Sequence, residues 1–300
     1  MHRSLLIISS LLLAFTAIGA VNPEYAREVK RWQEVIPPPE DDEYRLTAWF
    51  QAASMLSKSY KWRVFVQHDQ VCAELTSERG RFERERPKFD PKTQEFSTTP
   101  ETAFERVDDG WLVGFNLGEF GAALYWFSPD GKQNYKISNH QVVDFFAGLD
   151  GLRAIEGLGH MGESRGSVIR IARPEPGARW QASTVVELPG DPCTVSKRRD
   201  GTIFVTSPDW IVAISHDREV TKLLQDPYWY RPTSSVLSPD EEKLYIGMEY
   251  FVAEFDIATK KLRLLVPSDI FLEPFRESEQ RLGEYEAKHN MRFYRRPPRK

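Results

Sequence analysis

The sequence predicts an all-β protein, and three observations support this. From residue 104 onward, short apolar segments alternate with tight turns, the pattern of consecutive strands. The turns are rich in Asp-Gly and Ser-Pro-Asp sequences, which supply the backbone shape of a hairpin reversal. The segments also group into units of four strands, with a period of about 40–45 residues.

Two stretches show this repeat most clearly. One is CTVSK followed by DGTIFVTSPDWIVAISHDREVTKLL, and the other is SSVLS followed by EEKLYIGMEYFVAEFDIATKKLRLL. The period is that of a β-propeller blade, and residues 45–270 hold about five such units. The first unit, near 46–75, is irregular and is expected to join the last in closing the ring. A β-sandwich is the alternative architecture, because its strands are similarly spaced; the four-strand period favours the propeller.

The first residues set the expected compartment. Residues 1–20 have the layout of a secretory signal peptide, with a basic start, the apolar run Leu5–Ile18 and small residues at Gly19 and Ala20. The run is too short to span about 30 Å of hydrocarbon. We therefore expect a secreted, periplasmic protein with no transmembrane segment in the mature chain; the alternative is an N-terminal anchor.

Residues 21–44 are a polar lead-in to the repeats. Within it, Val29, Trp32 and Val35 recur at roughly helical spacing, and Pro37–Pro39 ends any helix.

Two further segments lack the repeat. Residues 76–103 are crowded with charges of both signs and are expected to form a long solvated loop. Residues 271–300 form a tail in which Glu277–His289 has helical propensity, and its basic end is expected to be a solvated terminus. Contact of that end with anionic lipid or an acidic partner is the alternative.

Composition excludes several classes of protein. The 300 residues are 41% hydrophobic and 12% aromatic, too apolar for a disordered chain. The formal net charge of −4 argues against a nucleic-acid-binding protein. Cys72 and Cys193 are the only cysteines; in an oxidising compartment they either form a disulfide or stay separate buried thiols.

Two glycine-rich motifs carry the candidate site. Glu119 lies in DGWLVGFNLGEFGAALYWFSPDGK, and GLGHMGESRGSVIRI places His160 and Glu163 in a glycine-rich loop before a strand. If strand ends converge on a propeller axis, these three side chains meet. Two carboxylates and an imidazole suit a divalent metal or acid–base chemistry; the alternative is that they bond the backbone and serve the fold.

A cluster of polar aromatics is the other candidate. Tyr228, Trp229 and Arg231 have the composition of a binding hot spot, although packing between blades is the alternative. The sequence contains no HExxH motif and no GxxxxGK(S/T) motif.

Together the motifs GWLVGFxxGEFG…LYWFS and GLxHMGxxxGxI resemble a group of secreted bacterial β-propeller-like proteins of no established activity. The resemblance covers roughly residues 105–266 and implies the fold but no function. The chain has Ala122-Ala123 where the group has Gly-Gly, and Cys193 where the group has small apolar residues. A disulfide at Cys193 is therefore not a trait of the group.

These observations predict a propeller of about five four-stranded blades with short helical or irregular extensions at both ends. We expect a binding protein, without a cofactor, that holds an envelope protein or a small ligand at its axial face. The alternatives are a metal-dependent hydrolase or lyase and an envelope protein that neutralises a toxin or scaffolds an assembly.

Overall fold

The computed structural model is nearly all-β. It describes residues 29–36, 61–76, 85–97, 101–225, 231–249, 251–268, 271–273 and single positions between 276 and 288. Residues 1–20 lie outside this part, so the signal peptide stays a prediction. Among the described residues, helices are too short or too polar to cross a lipid bilayer.

The described strands form five antiparallel sheets. Sheet I consists of β2 (Lys61–Gln67) and β3 (Gln70–Thr76). Sheet II consists of β4 (Glu101–Val107), β5 (Gly110–Asn116), β6 (Ala122–Phe127) and β7 (Asn134–Ser138). Sheet III consists of β8 (Val142–Gly148), β9 (Gly151–His160), β10 (Glu163–Ala172) and β11 (Gln181–Leu188). Sheet IV consists of β12 (Thr194–Lys197), β13 (Ile203–Thr206), β14 (Trp210–Ile214) and β15 (Val220–Gln225). Sheet V consists of β16 (Ser234–Leu237), β17 (Lys243–Gly247), β18 (Val252–Asp256), β19 (Leu262–Val266) and, outside β19, β1 (Gln33–Val35).

The turn sequences decide where the strands reverse. The two-residue turn His68–Asp69 joins β2 to β3, and its φ angles of 49° and 56° are those of a tight hairpin. The predicted reversals at Asp130-Gly131, Asp150-Gly151 and Asp200-Gly201 also join paired strands. Sheets IV and V contain the two repeats that the sequence showed most clearly, so the four-stranded unit is confirmed.

Consecutive sheets pack face to face in series. In β13, Phe204 packs toward sheet V, while its neighbour Val205 packs toward sheet III. In the same way, Leu244 of β17 packs toward sheet IV and Tyr245 packs toward Trp62 of sheet I. The first strands also contact one another in the order β4, β8, β12, β16, β2. Sheets IV and V are each buried on both faces, as expected for sheets packed in series; in a two-layer sandwich, each sheet would pack on another sheet through one face only.

The face of sheet II that points away from sheet III is covered by residues from the irregular segment 85–97. Phe96 is 3% exposed, and its ring stacks on Phe115 with centroids 4.6 Å apart and planes at 5°. Phe89 packs on Phe127 in the same cluster. Residues 85–97 are irregular, but these aromatic anchors make the expectation of a freely solvated loop wrong for this segment. Among the described residues, no apolar cluster joins sheet I to sheet II.

The two ends of the chain also differ from expectation. Val29, Trp32 and Val35 are buried, but Val29 lies on a 3₁₀ turn (Val29–Arg31), Val35 lies on β1, and Trp32 lies between the two elements rather than on a longer helix. Strand β1 pairs with β19, so the lead-in adds a strand to the last sheet, and the described part of the first unit, β2 and β3, packs against that sheet. In the tail, described positions between 276 and 288 are helical, as predicted.

Sheet V encloses a buried carboxylate. Glu254 is 6% exposed and accepts hydrogen bonds from the Tyr245 hydroxyl (2.6 Å), Lys243 Nζ (3.0 Å) and Arg263 Nη1 (3.1 Å). Burial alone would raise the pKa of Glu254, but these hydrogen bonds and the two cations lower it below its ordinary value. The carboxylate is therefore ionised and fully partnered.

Candidate functional site

The described candidate residues Glu119, His160, Glu163 and Arg231 share one end of the sheets, which we call the upper face. It contains the connections between second and third strands and the segments that enter β8 and β12. Gln141, just before β8, bonds Asn116 at the end of β5, and Asp191, before β12, bonds Ser164 at the start of β10. These contacts tie neighbouring sheets together at the same end.

Glu119 and His160 meet on the upper face. Glu119 lies on a 3₁₀ turn, Gly118–Phe120, between β5 and β6, and His160 is the last residue of β9. Glu119 Oε2 is 2.7 Å from His160 Nδ1, and the two side chains are 42% and 43% exposed. The pair bridges sheets II and III, but its exposure to water limits its contribution to stability.

Glu163 lies beside this pair, in a different setting from the one expected. His160 and Glu163 are register partners at the tip of the β9–β10 hairpin. The turn between them is Met161-Gly162, with φ angles of 47° and 89°. The glycine-rich segment is therefore a tight hairpin, and not a loop. Within the described ranges, no three His, Cys, Asp or Glu side chains are grouped as a metal site would require.

An exposed apolar residue follows each member of the Glu119–His160 pair, and sequence reasoning missed both. Phe120, which follows Glu119, is 82% exposed, and Met161, which follows His160, is 91% exposed. Leu117, in the same turn as Phe120, is 38% exposed. A signal for them was present in the sequence, because large apolar residues are unusual at turn positions, where Gly, Asn, Asp and Ser dominate.

A buried amide supports the turn that carries Glu119. Gln141 is 3% exposed, and its Nε2 donates to Asn116 Oδ1 (2.8 Å) and to the Gly118 carbonyl (3.1 Å). Asn116 Oδ1 also accepts from the Gly118 N–H at 2.9 Å. Because Gln141 belongs to the connection into sheet III, it positions the Glu119 turn relative to that sheet.

A buried carboxylate lies below this amide. Glu156 is 5% exposed; its Oε1 accepts from the Ser167 hydroxyl (2.6 Å) and its Oε2 from the Gln141 N–H (3.3 Å). The Arg165 guanidinium is 4.0 Å from Glu156 Oε2 and 3.5 Å from Gln141 Oε1, and it is 57% exposed. A continuous polar network thus runs from β10 to the Glu119 turn.

Cys193 and Arg231 meet on the sheet IV side of this face. Burial raises the pKa of the Cys193 thiol to about 12, although the charge and hydrogen bond of Arg231 oppose the shift. A thiol with this pKa is protonated at neutral pH and is a poor nucleophile. In the structure both cysteines are free thiols; Cys72 is buried and Cys193 is partly buried. Tyr228 and Trp229 lie outside the described residues.

The opposite end of sheets II and III has a dense polar–aromatic joint that sequence reasoning also missed. Asp109 Oδ1 accepts from the indoles of Trp126 (3.0 Å) and Trp180 (3.1 Å), and Oδ2 accepts from Arg173 (2.9 Å). The Arg173 guanidinium also lies 4.6 Å from the centroid of Trp180. Since these groups satisfy one another, the joint serves to hold the two sheets together.

A cavity of about 360 Å³ lies between β4 and β8. Its lining residues are Glu85, Phe104, Glu105, Arg106, Phe145, Phe146 and Ala147. Glu85 and Arg106 form an ion pair across it. The candidate residues of the upper face do not line this cavity.

Comparison with known proteins does not assign a family. No family model matches the chain, and no curated protein matches it. A solved protein of unknown function from Bacteroides thetaiotaomicron is similar over 69% of this chain and 64% of its own, with 9% identity and a TM-score of 0.42. TolB from Acinetobacter baumannii is similar over 70% of this chain and 52% of its own, with 10% identity and a TM-score of 0.36. A streptogramin B lyase is similar over 57% of this chain and 55% of its own, with 13% identity and a TM-score of 0.38. The chain covers less than two thirds of each of these proteins, and similarities this low carry no functional argument.

Proposed function

We propose that this protein is a secreted, periplasmic β-propeller of five blades that binds a partner protein through its upper face. Each sheet supplies one blade, and sheet I is the short one. The series of apolar clusters between sheets and the contacts between first strands support a radial arrangement.

The observation that carries the binding proposal is the exposure of Phe120 and Met161. Both are large apolar side chains held on short, well-defined turns, and the contact between Glu119 and His160 joins those turns. Aromatic residues and Met are enriched at the centres of protein interfaces. Rigid turns also lose little conformational freedom on binding, which favours affinity.

The metal-dependent hydrolase or lyase alternative would use the same Glu119–His160 pair. An enzyme site is usually concave and encloses its substrate, whereas this pair is about 40% exposed and each of its residues precedes an exposed apolar residue. The toxin-neutralising and scaffold alternatives differ from our proposal only in the partner. The geometry therefore favours a contact surface over a catalytic centre.

A capture experiment with matched variants tests the proposal. Residues 21–300 are immobilised and exposed to an envelope extract, as wild type, as the Phe120→Ser/Met161→Ser double variant, and as Ile36→Ser. Ile36 is 80% exposed after β1, away from the upper face, and is the control for a lost apolar side chain. We expect a protein that wild type and Ile36→Ser retain and the double variant loses. Equal retention by all three would refute the upper-face proposal.

A further inference from the structure

We infer that the cavity between β4 and β8 binds a small primary amine with an apolar body. This inference does not rest on the proposed function, because the cavity and the upper face lie at opposite ends of the sheets. Arg106 lines the cavity one residue before the end of β4, and Ala147 one residue before the end of β8. The turns that follow these two strands lie opposite the β5–β6 and β9–β10 turns, where Glu119 and His160 are found.

The volume and the walls of the cavity set the size and character of its ligand. About 360 Å³ is at the small end of the range for pockets that bind small molecules, roughly 300–1,000 Å³. Three aromatic rings contribute to the lining, of which Phe145 is buried and Phe104 and Phe146 are partly exposed. Such a lining favours an apolar body, and the face of an aromatic ring also attracts a cation.

The charged side chains of the lining favour a positive ligand. They are Glu85, Glu105 and Arg106, so negative charge exceeds positive charge by one. The Arg106 guanidinium is paired with Glu85 and lies 5.7 Å from the centroid of the Trp111 ring. A ligand carboxylate would have to compete with Glu85 for this guanidinium, whereas a ligand cation meets complementary charge.

The backbone at the cavity suits the donors of a primary ammonium group. The lining residues 104–106 and 145–147 belong to β4 and β8, which are edge strands of sheets II and III. An edge strand presents backbone carbonyl groups that its own sheet does not pair. A primary ammonium has three donors and no acceptor, so it can bond a carboxylate and edge carbonyls at the same time.

A ligand-observed NMR titration of residues 21–300 with 2-phenylethylamine tests the inference. The analogues 2-phenylethanol and 3-phenylpropionate have a similar apolar body and are neutral and negative, respectively. For a ligand this small we expect the amine to bind with a dissociation constant of about 1 mM. The two analogues should bind at least roughly tenfold more weakly, because they lack the charge-assisted hydrogen bond.

Two variants locate the binding site in the cavity. Ala147 is exposed and lines the cavity, so Ala147→Phe should fill the space and abolish binding without changing the melting temperature. Glu105→Gln removes the excess negative charge and should weaken binding roughly tenfold. Glu34→Gln is the matched control, because Glu34 pairs with Arg263 on sheet V, and it should bind the amine as wild type does.

The inference is open to refutation at each step. No binding of 2-phenylethylamine up to about 20 mM, equal binding of all three compounds, or undiminished binding by Ala147→Phe would each overturn it. Neither cavity variant changes a residue of the upper face, so the capture experiment can succeed where this titration fails, and the reverse.

Discussion

Replacing Gln141 with Ala should destabilise the protein and displace the turn that carries Glu119 and Phe120. Gln141 Nε2 donates two hydrogen bonds, to Asn116 and to the Gly118 carbonyl, from a side chain that is 3% exposed. Asn116 Oδ1 keeps its bond from the Gly118 N–H, and the Gly118 carbonyl keeps only the 3.4 Å bond from the Gly121 N–H. Each lost net hydrogen bond costs about 1 kcal/mol.

Together with the space left by the truncated side chain, these terms give about 3 kcal/mol for Gln141→Ala. Urea unfolding measures the difference directly, and Gln133→Ala is the matched control, since Gln133 is exposed in the β6–β7 turn. We expect the control to lose less than about 0.5 kcal/mol. A loss below about 1 kcal/mol in Gln141→Ala would show that water replaces the amide and that the turn does not depend on it.

Three further predictions address the interior. Glu254→Gln should cost about 3 kcal/mol at neutral pH, because two cations lose their charged partner. Because the pKa of Glu254 is lowered in the folded protein, the ionised carboxylate stabilises the fold at pH values above its ordinary pKa of 4.5, and this stabilisation is lost as the pH falls through the folded pKa. The free energy of unfolding, measured in urea between pH 7 and 3, should therefore depend less on pH in Glu254→Gln than in wild type. Parallel pH profiles of the two proteins would contradict this. Gly114→Ala should destabilise by about 1–3 kcal/mol, because its Cβ would lie 2.7 Å from Val142 Cβ; an unchanged melting temperature would be evidence against this close packing. In a Cys72→Ser background, Cys193 should react with iodoacetamide at pH 8 far more slowly than an unfolded-state control, since its pKa is raised to about 12, and equal rates would disprove the raised pKa.

The strands were predictable because each depends on local chemistry. An Asp-Gly turn between two apolar segments specifies a hairpin without knowledge of any other part of the chain. The four-strand period was predictable for the same reason, since it is a series of such hairpins. The β1–β19 pairing was not, because it joins residues more than two hundred positions apart and only three residues of the lead-in take part.

The burial of Phe96 shows a second limit of sequence reasoning. Charged and polar neighbours surround Phe96, so its segment has the composition of a solvated loop. The stacking partner, Phe115, lies on β5, and only the fold brings the two rings together. A single apolar anchor in a polar segment is therefore not evident from composition averaged over that segment.

Packing explains most of the second glycine-rich motif. A Cβ at Gly159 would lie 2.4 Å from the Asp191 carboxylate, and Cβ atoms at Gly157 and Gly166 would each lie 2.6 Å from Pro192. These glycines are present because the segment that enters β12 crosses sheet III at close range. Their spacing resembles that of a functional loop, but it results from the close packing of residues 191–192 against sheet III, which leaves no room for a side chain.

The same motif also contains a residue that internal packing does not explain. Met161 is 91% exposed at the tip of the hairpin, and Phe120, 82% exposed, is its counterpart on the neighbouring turn. Asn, Asp or Gly would form either turn without exposing apolar surface to water. The fold therefore requires neither side chain, which supports the proposal that the upper face is a contact surface. The glycines that drew attention in the sequence belong to the scaffold, whereas the proposed surface consists of residues that the fold leaves unexplained.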